Sequence, residues 1–129
     1  MPWDKDAVNA GFSAAKPWLP IPADHRGKAV SLQDGEAGSV LSCLRELVEL
    51  RRSNPALRLG GFNPLNLNAP LIGFERMAGA ARLRCLFNPG NAPVQDQAIV
   101  HDGALFTAGA VDCGKGVLGP WAACIFECA

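Results

Sequence analysis

Residues 74–87 read FERMAGAARLRCLF. Two arms mixing apolar and charged side chains flank a small-residue centre at Ala78–Ala80, which predicts a β-hairpin. Outward from this stretch, the chain from residue 56 onward keeps the same grammar. Short runs such as LRLGGF, LIGFER, QAIV, GALFT and WAACIFEC are separated by NPLNLNAP, NPGNAP, HDG and DCGKG. Turn chemistry every eight to twelve residues predicts an antiparallel sandwich or barrel, so the fold class is mainly β. IVHDGALF reads as a second, tighter hairpin with Asp102-Gly103 at its turn. NPLNLNAP fits either a strand with a bulge or a loop. No repeat of fixed period is visible.

On the other side of residue 56 the period changes. In SVLSCLRELVELRRSNP, Val40, Cys43, Leu44, Leu47, Val48 and Leu50 recur at three- and four-residue spacing. Arg45, Glu46, Glu49, Arg51 and Arg52 fill the other side, so residues 39–55 predict one amphipathic α-helix. Ser39 is its N-cap, the arginines suit the C-terminal end of its dipole, and Pro55 stops it. Burying such side chains stabilises by roughly 1.5–3 kcal/mol each. Leaving five or six wet would forgo about 10 kcal/mol, comparable to a whole domain's stability. The expectation is that something covers this helix. Residues 1–38 show no period, are rich in Pro and Gly, and close on the turn-prone LQDGEAGS. The chain therefore divides into a loop segment (1–38), a helix (39–55) and a β domain (56–129).

Composition narrows the function. The 129 residues are 49% hydrophobic and 19% charged, a globular mix. Twelve acidic residues balance twelve basic ones, so no global field favours nucleic acid or an anionic membrane as partner. No apolar run approaches the roughly 20 residues that span a bilayer, and MPWDKDAVNA is no secretory signal. The expected location is the cytoplasm, with the five cysteines reduced. Cys43, Cys85, Cys113, Cys124 and Cys128 are odd in number and lack a C-x-x-C pair, which argues against zinc. Cys124 and Cys128 share one face of a strand, and the cysteines read as small buried hydrophobes. No metal or cofactor is expected.

Candidate chemistry is sparse. Asp4 and Asp6 would share a face of an extended segment, but their polar surroundings offer no apolar pocket to keep one protonated. They read as solvated carboxylates. His25 and His101 stand singly and read as exposed loop histidines. There is no G-x-S-x-G, phosphate-cradling glycine loop or H-E-x-x-H. Trp3, Phe12 and Trp18 form an aromatic constellation beside Asp and Asn. Such rings either stack on the C–H faces of sugars or pin the loop to the protein.

The order of these segments carries a resemblance. MPWD, NAGFS, KPWLP and a helix ending LRELVELRRSNPALRLGGF resemble the late part of glycoside hydrolase family 13 (the α-amylase superfamily). The nearest branch is that of the α-glucosidases and oligo-1,6-glucosidases. GVLGPWAACIFEC is similar to the lead-in and last strand of the family's domain C, so the resemblance covers nearly all of the chain. It implies a last barrel loop and helix followed by a Greek-key β-sandwich. It further implies an α-glucoside or oligosaccharide as the intact enzyme's substrate, with Trp3, Asp4 and Phe12 on the substrate side. The family's catalytic Asp nucleophile, Glu acid and second Asp lie before the P-M-x-W-D segment, so the resemblance implies no catalytic residue here. By the same comparison Met1 is an internal methionine of the motif, and the piece alone is noncatalytic. VHDG at 100–103 is a chance likeness to the family's N-H-D. The alternative expectation is a stand-alone interaction or carbohydrate-binding module. It would dock through the helix stripe and aromatic loop onto another copy or a missing barrel half.

Overall fold

The computed structural model describes residues 1–128. The chain gathers into two compact units, Met1–Arg45 and the remainder from Glu46.

In the first unit most of the backbone is irregular, broken by a 3₁₀ turn at Val8–Gly11 and two single-turn helices. These are α1 (Ala23–Arg26) and α2 (Val30–Gln33). Its order comes from hydrogen bonds more than from apolar burial, since only Ala10 and Ala29 are buried hydrophobics before residue 46. α3, Val40–Ser53, begins in this unit and ends in the second. The Ser39 hydroxyl accepts from the Ser42 N–H at 3.1 Å, the N-cap expected from sequence. The helix ends at Ser53. Pro55 is not a mere stop, because it opens a further short helix, α4 (Pro55–Leu59). Asn54 caps that helix by accepting from the Ala56 N–H at 2.9 Å, and proline at the first position costs no intrahelical bond.

The second unit is mainly antiparallel sheet. A five-stranded sheet runs in the order β1-β2-β3-β8-β5, with β1 Gly61–Pro64, β2 Ile72–Ala78, β3 Ala81–Phe87, β8 Ala123–Glu127 and β5 Phe106–Ala108. A smaller sheet, β4-β7-β6, joins Val94–Gln95, Val117–Leu118 and Val111–Asp112. The hairpin expected at 74–87 is present. Ala78 pairs with Ala81, and Gly79 takes the positive φ of 59° that a two-residue turn needs. Alternation in β3 and β8 sends Leu86, Cys124 and Phe126 to one face. There they meet Leu71, Ile99, Leu118 and Ala122 in a single core cluster, with Val94 and Val111 of the smaller sheet packed against it. The arrangement is an open, sandwich-like pair of sheets, as the mainly β expectation required.

Asn88 fastens the lead-out of β3. Its buried amide donates to the carbonyls of Ala92 (2.8 Å), Leu118 (3.2 Å) and Gly119 (2.8 Å), while its oxygen accepts from the Gly90 N–H at 2.9 Å. Such a residue satisfies several otherwise orphaned loop groups at once.

Several expectations need correction. IVHDGALF is not a hairpin. Asp96 caps a 3₁₀ turn at Gln97–Ile99 by accepting from the Ala98 N–H at 2.8 Å, and this turn drops Ile99 into the core. β5 then pairs with β8 instead of its sequence neighbour. QAIV is therefore a turn, and in LRLGGF the first three residues belong to α4. The NPLNLNAP alternatives resolve into Pro64 closing β1 and irregular chain beyond it. Within the described residues no side chain of α3 is buried, and Val40 is 78% exposed.

Candidate functional site

The segment MPWD is held on both sides without being part of a sheet. The Trp3 N–H donates to the Ala10 carbonyl at 2.8 Å, and the Trp3 carbonyl accepts from Ser31 N–H at 2.9 Å. Pro2 likewise accepts from Val30 N–H at 3.1 Å, so the start of α2 anchors the segment. On the other side Arg26 donates to the carbonyls of Lys5 (2.8 Å) and Ala7 (3.1 Å).

The turn that receives Trp3 is strained. Asn9, Ala10 and Gly11 adopt consecutive left-handed conformations, with φ of 51°, 54° and 67°. Glycine accepts this freely and asparagine tolerates it, whereas alanine does so at a cost of about 1–2 kcal/mol. Asn9 also donates its amide to the carbonyls of Ser13 and Ala15, both at 2.9 Å, which extends the fixed region toward Phe12. Strain of this kind persists where surroundings over-determine the backbone, and it clusters at functional sites. The result is a rigid presentation of two half-exposed rings, Trp3 and Phe12, each 53% exposed.

The expected site residues are distributed as follows. Phe12 lines a cleft of about 340 Å³ together with Trp18, Met1, His25 and the prolines at 2, 17, 20 and 22. Trp18 is 89% exposed and forms one wall. Trp3 and Asp4 are outside this lining, although both N–H groups meet the Ala10 carbonyl. Asp4 is exposed, and its carboxylate accepts from the Asp6 N–H at 2.9 Å in a local turn. Asp6 pairs with Lys5 at 2.5 Å. The two carboxylates are thus solvated, as their surroundings suggested.

His25 belongs to the cleft wall, a placement the sequence signalled only through the neighbouring proline-rich KPWLPIP. His101 departs further from expectation. It stacks on Phe126 with centroids 3.9 Å apart, and both ring nitrogens are buried without a hydrogen-bond partner. It is a packing residue of the sandwich. The Arg84 guanidinium approaches the Phe126 ring at 6.0 Å and pairs with buried Glu75 at 2.8 Å.

Two of the thiols, Cys85 and Cys124, are buried in the larger sheet. All five cysteines are unpaired, and burial pushes Cys85 up to about 11 and Cys124 up to about 12. The thiolate is the reactive form, so these two are inert at neutral pH. Among the described residues no His, Cys, Asp and Glu gather in a group that could hold a metal. Nor is any helix of the described residues long and apolar enough to cross a membrane.

Residues 1–60 match the Alpha-amylase family (Alpha amylase, catalytic domain), and the chain belongs to glycoside hydrolase family 13 as a partial sequence. Over 88 residues it is 40% identical to the "Probable alpha-glucosidase" of Rhizobium meliloti (strain 1021), covering 68% of this chain and 16% of that protein. It is 28% identical over 89 residues to the "Oligo-1,6-glucosidase" of Parageobacillus thermoglucosidasius, again covering 68% of this chain and 16% of the relative. In structure it is similar to trehalulose synthase MutB from Pseudomonas mesoacidophila MX-45, with a TM-score of 0.83 at 26% identity. That match covers 98% of this chain and 24% of MutB. The chain therefore spans between a sixth and a quarter of the length of these proteins.

Proposed function

We propose that this chain is the C-terminal portion of an α-glucosidase-like enzyme acting in carbohydrate metabolism, and that it contributes the rim of the substrate site. In this reading Trp3, Asp4 and Phe12 face the substrate, an α-glucoside or oligosaccharide. The carboxylates that cleave the glycosidic bond are supplied by other parts of the enzyme, so the chain alone does not hydrolyse. Residues 1–38 serve as barrel-derived loop, 39–55 as the last barrel helix and 56–129 as the C-terminal sandwich. The five unpaired thiols suit a cytoplasmic setting.

The observation that carries this reading is the left-handed Asn9-Ala10-Gly11 turn, which fixes Trp3 and Phe12 while leaving both rings open. Ring faces fixed in advance stack on sugar C–H faces without a further ordering cost. The test has two arms on the purified full chain. Incubation with p-nitrophenyl α-glucoside is expected to release no nitrophenol above the blank, and enzymatic release would refute the noncatalytic assignment. Titration with maltose and isomaltose, followed by tryptophan fluorescence, is expected to give a saturable change that W3A and F12A abolish. A titration insensitive to both substitutions would remove those residues from the substrate side.

A second reading is favoured by the wet face of α3. Val40, Leu44 and Val48 follow one another at four-residue spacing and all three are exposed. Here the chain acts as a module that docks through this stripe onto a second copy or a further part of the same enzyme.

A further inference from the structure

The C-terminal end of α3 and the last residues of α4 frame a groove. Val48, Arg51, Arg52, Arg58 and Leu59 line it, around a volume of about 520 Å³. Arg51 is folded over the junction of the two helices, where it donates to the Leu57 carbonyl. Arg52 and Arg58 are exposed. None of the three guanidiniums meets a carboxylate in any ion pair among the described residues, and Glu46 and Glu49 of the same helix pair with none of them. Between these charges Leu59 stands 79% exposed.

This combination is selective in what it fits. Three fork-shaped donors match planar carboxylates or phosphates. A free phosphate would satisfy the arginines and leave Leu59 in water. Single-stranded nucleic acid would need aromatic rings for its bases, and no aromatic residue lines the groove. An acidic protein segment with one aliphatic side chain between carboxylates meets both the charge and the apolar floor. We propose that this groove docks such a segment of a partner protein. The proposal does not rest on the sugar-enzyme reading, because no residue of the groove belongs to the aromatic loop.

The test uses the full chain and a fluorescein-labelled dodecapeptide of three Glu-Glu-Leu-Glu repeats, read by fluorescence anisotropy. Its counterpart with lysine in place of glutamate is the charge control. The acidic peptide is expected to bind with an affinity that falls as salt rises, and the lysine peptide to show no binding. R52E and R58E should each weaken binding about three- to fivefold and flatten the salt dependence. L59S should weaken it without altering that dependence. Circular dichroism of each variant checks folding, and R52Q and R58Q repeat the measurement with milder changes. Equal binding of both peptides would overturn the proposal, as would indifference to Arg52 and Arg58. So would complete displacement of the peptide by millimolar inorganic phosphate, or tighter binding of a single-stranded oligonucleotide of the same charge.

Discussion

The thiols of Cys85 and Cys124 lie on opposite faces of the larger sheet, because Cys85 pairs with Ile125 whereas Cys124 pairs with Leu86. Burial is the largest cause of the rise of both above the ordinary thiol value of 9.0, to about 11 and about 12. The consequence for stability has a definite sign. Below pH 9 folded and unfolded chains both hold these protons, and the contribution is complete. As pH rises further, the unfolded thiols ionise while the folded ones do not, so stability drains away between about pH 9 and 12. The urea midpoint is expected to stay level to pH 9 and then fall, with C85A/C124A reducing the slope; a decline equally steep in that variant would count against it. At this scale the sequence was readable wherever chemistry is local. Ser39 declares itself as a cap because its partner is three residues away, and Asp4 and Asp6 look solvated because polar residues adjoin them. His101 was misread because its neighbour, Phe126, is brought beside it only by tertiary packing.

Elements show the same division. The hairpin of β2 and β3 was legible because its two arms alternate around a glycine turn. α3 was legible because its period persists for 14 residues. The failed hairpin at IVHDGALF had an equally good turn, but the cap at Asp96 and the pairing of β5 with β8 outweighed it. α4 was hidden because LRLGGF, read from Leu57, omits the Asn54-Pro55 start that makes it helical. Its far end yields a sharp prediction. A β-carbon built on Gly60 would lie 2.4 Å from the Ala56 carbonyl oxygen and 2.7 Å from that of Met77, both backbone atoms with nowhere to move. Gly60→Ala is expected to destabilise the chain by about 1–3 kcal/mol, the usual cost of overpacking. Chemical denaturation of both proteins measures this, and an unchanged midpoint would show that α4 can shift from β2 freely.

For the molecule as a whole, the wet stripe of α3 is the exposed apolar feature with regular spacing. Val40, Leu44 and Val48 are exposed at regular helical spacing in a protein whose net charge is zero, a surface that a second copy would cover if the docking proposal holds. Light scattering coupled to size exclusion is expected to give a mass above that of one chain, returning to one chain for V40K/L44K. A single-chain mass at every concentration would leave the stripe without a self-partner. The arrangement of sheets could be anticipated from turn spacing, whereas the exposed stripe could not, since periodicity announces an apolar face without saying whether anything lies on it. The paucity of buried carbon in residues 1–45 has a calorimetric meaning as well. Heat-capacity change on unfolding tracks the apolar surface released, and here the only fully buried hydrophobic residues are two alanines, with Ile21, Val30 and Leu41 partly covered. That unit is expected to unfold with a smaller heat-capacity change per residue than the sheet unit, which differential scanning calorimetry of the full chain would read as a weaker temperature dependence of its unfolding enthalpy.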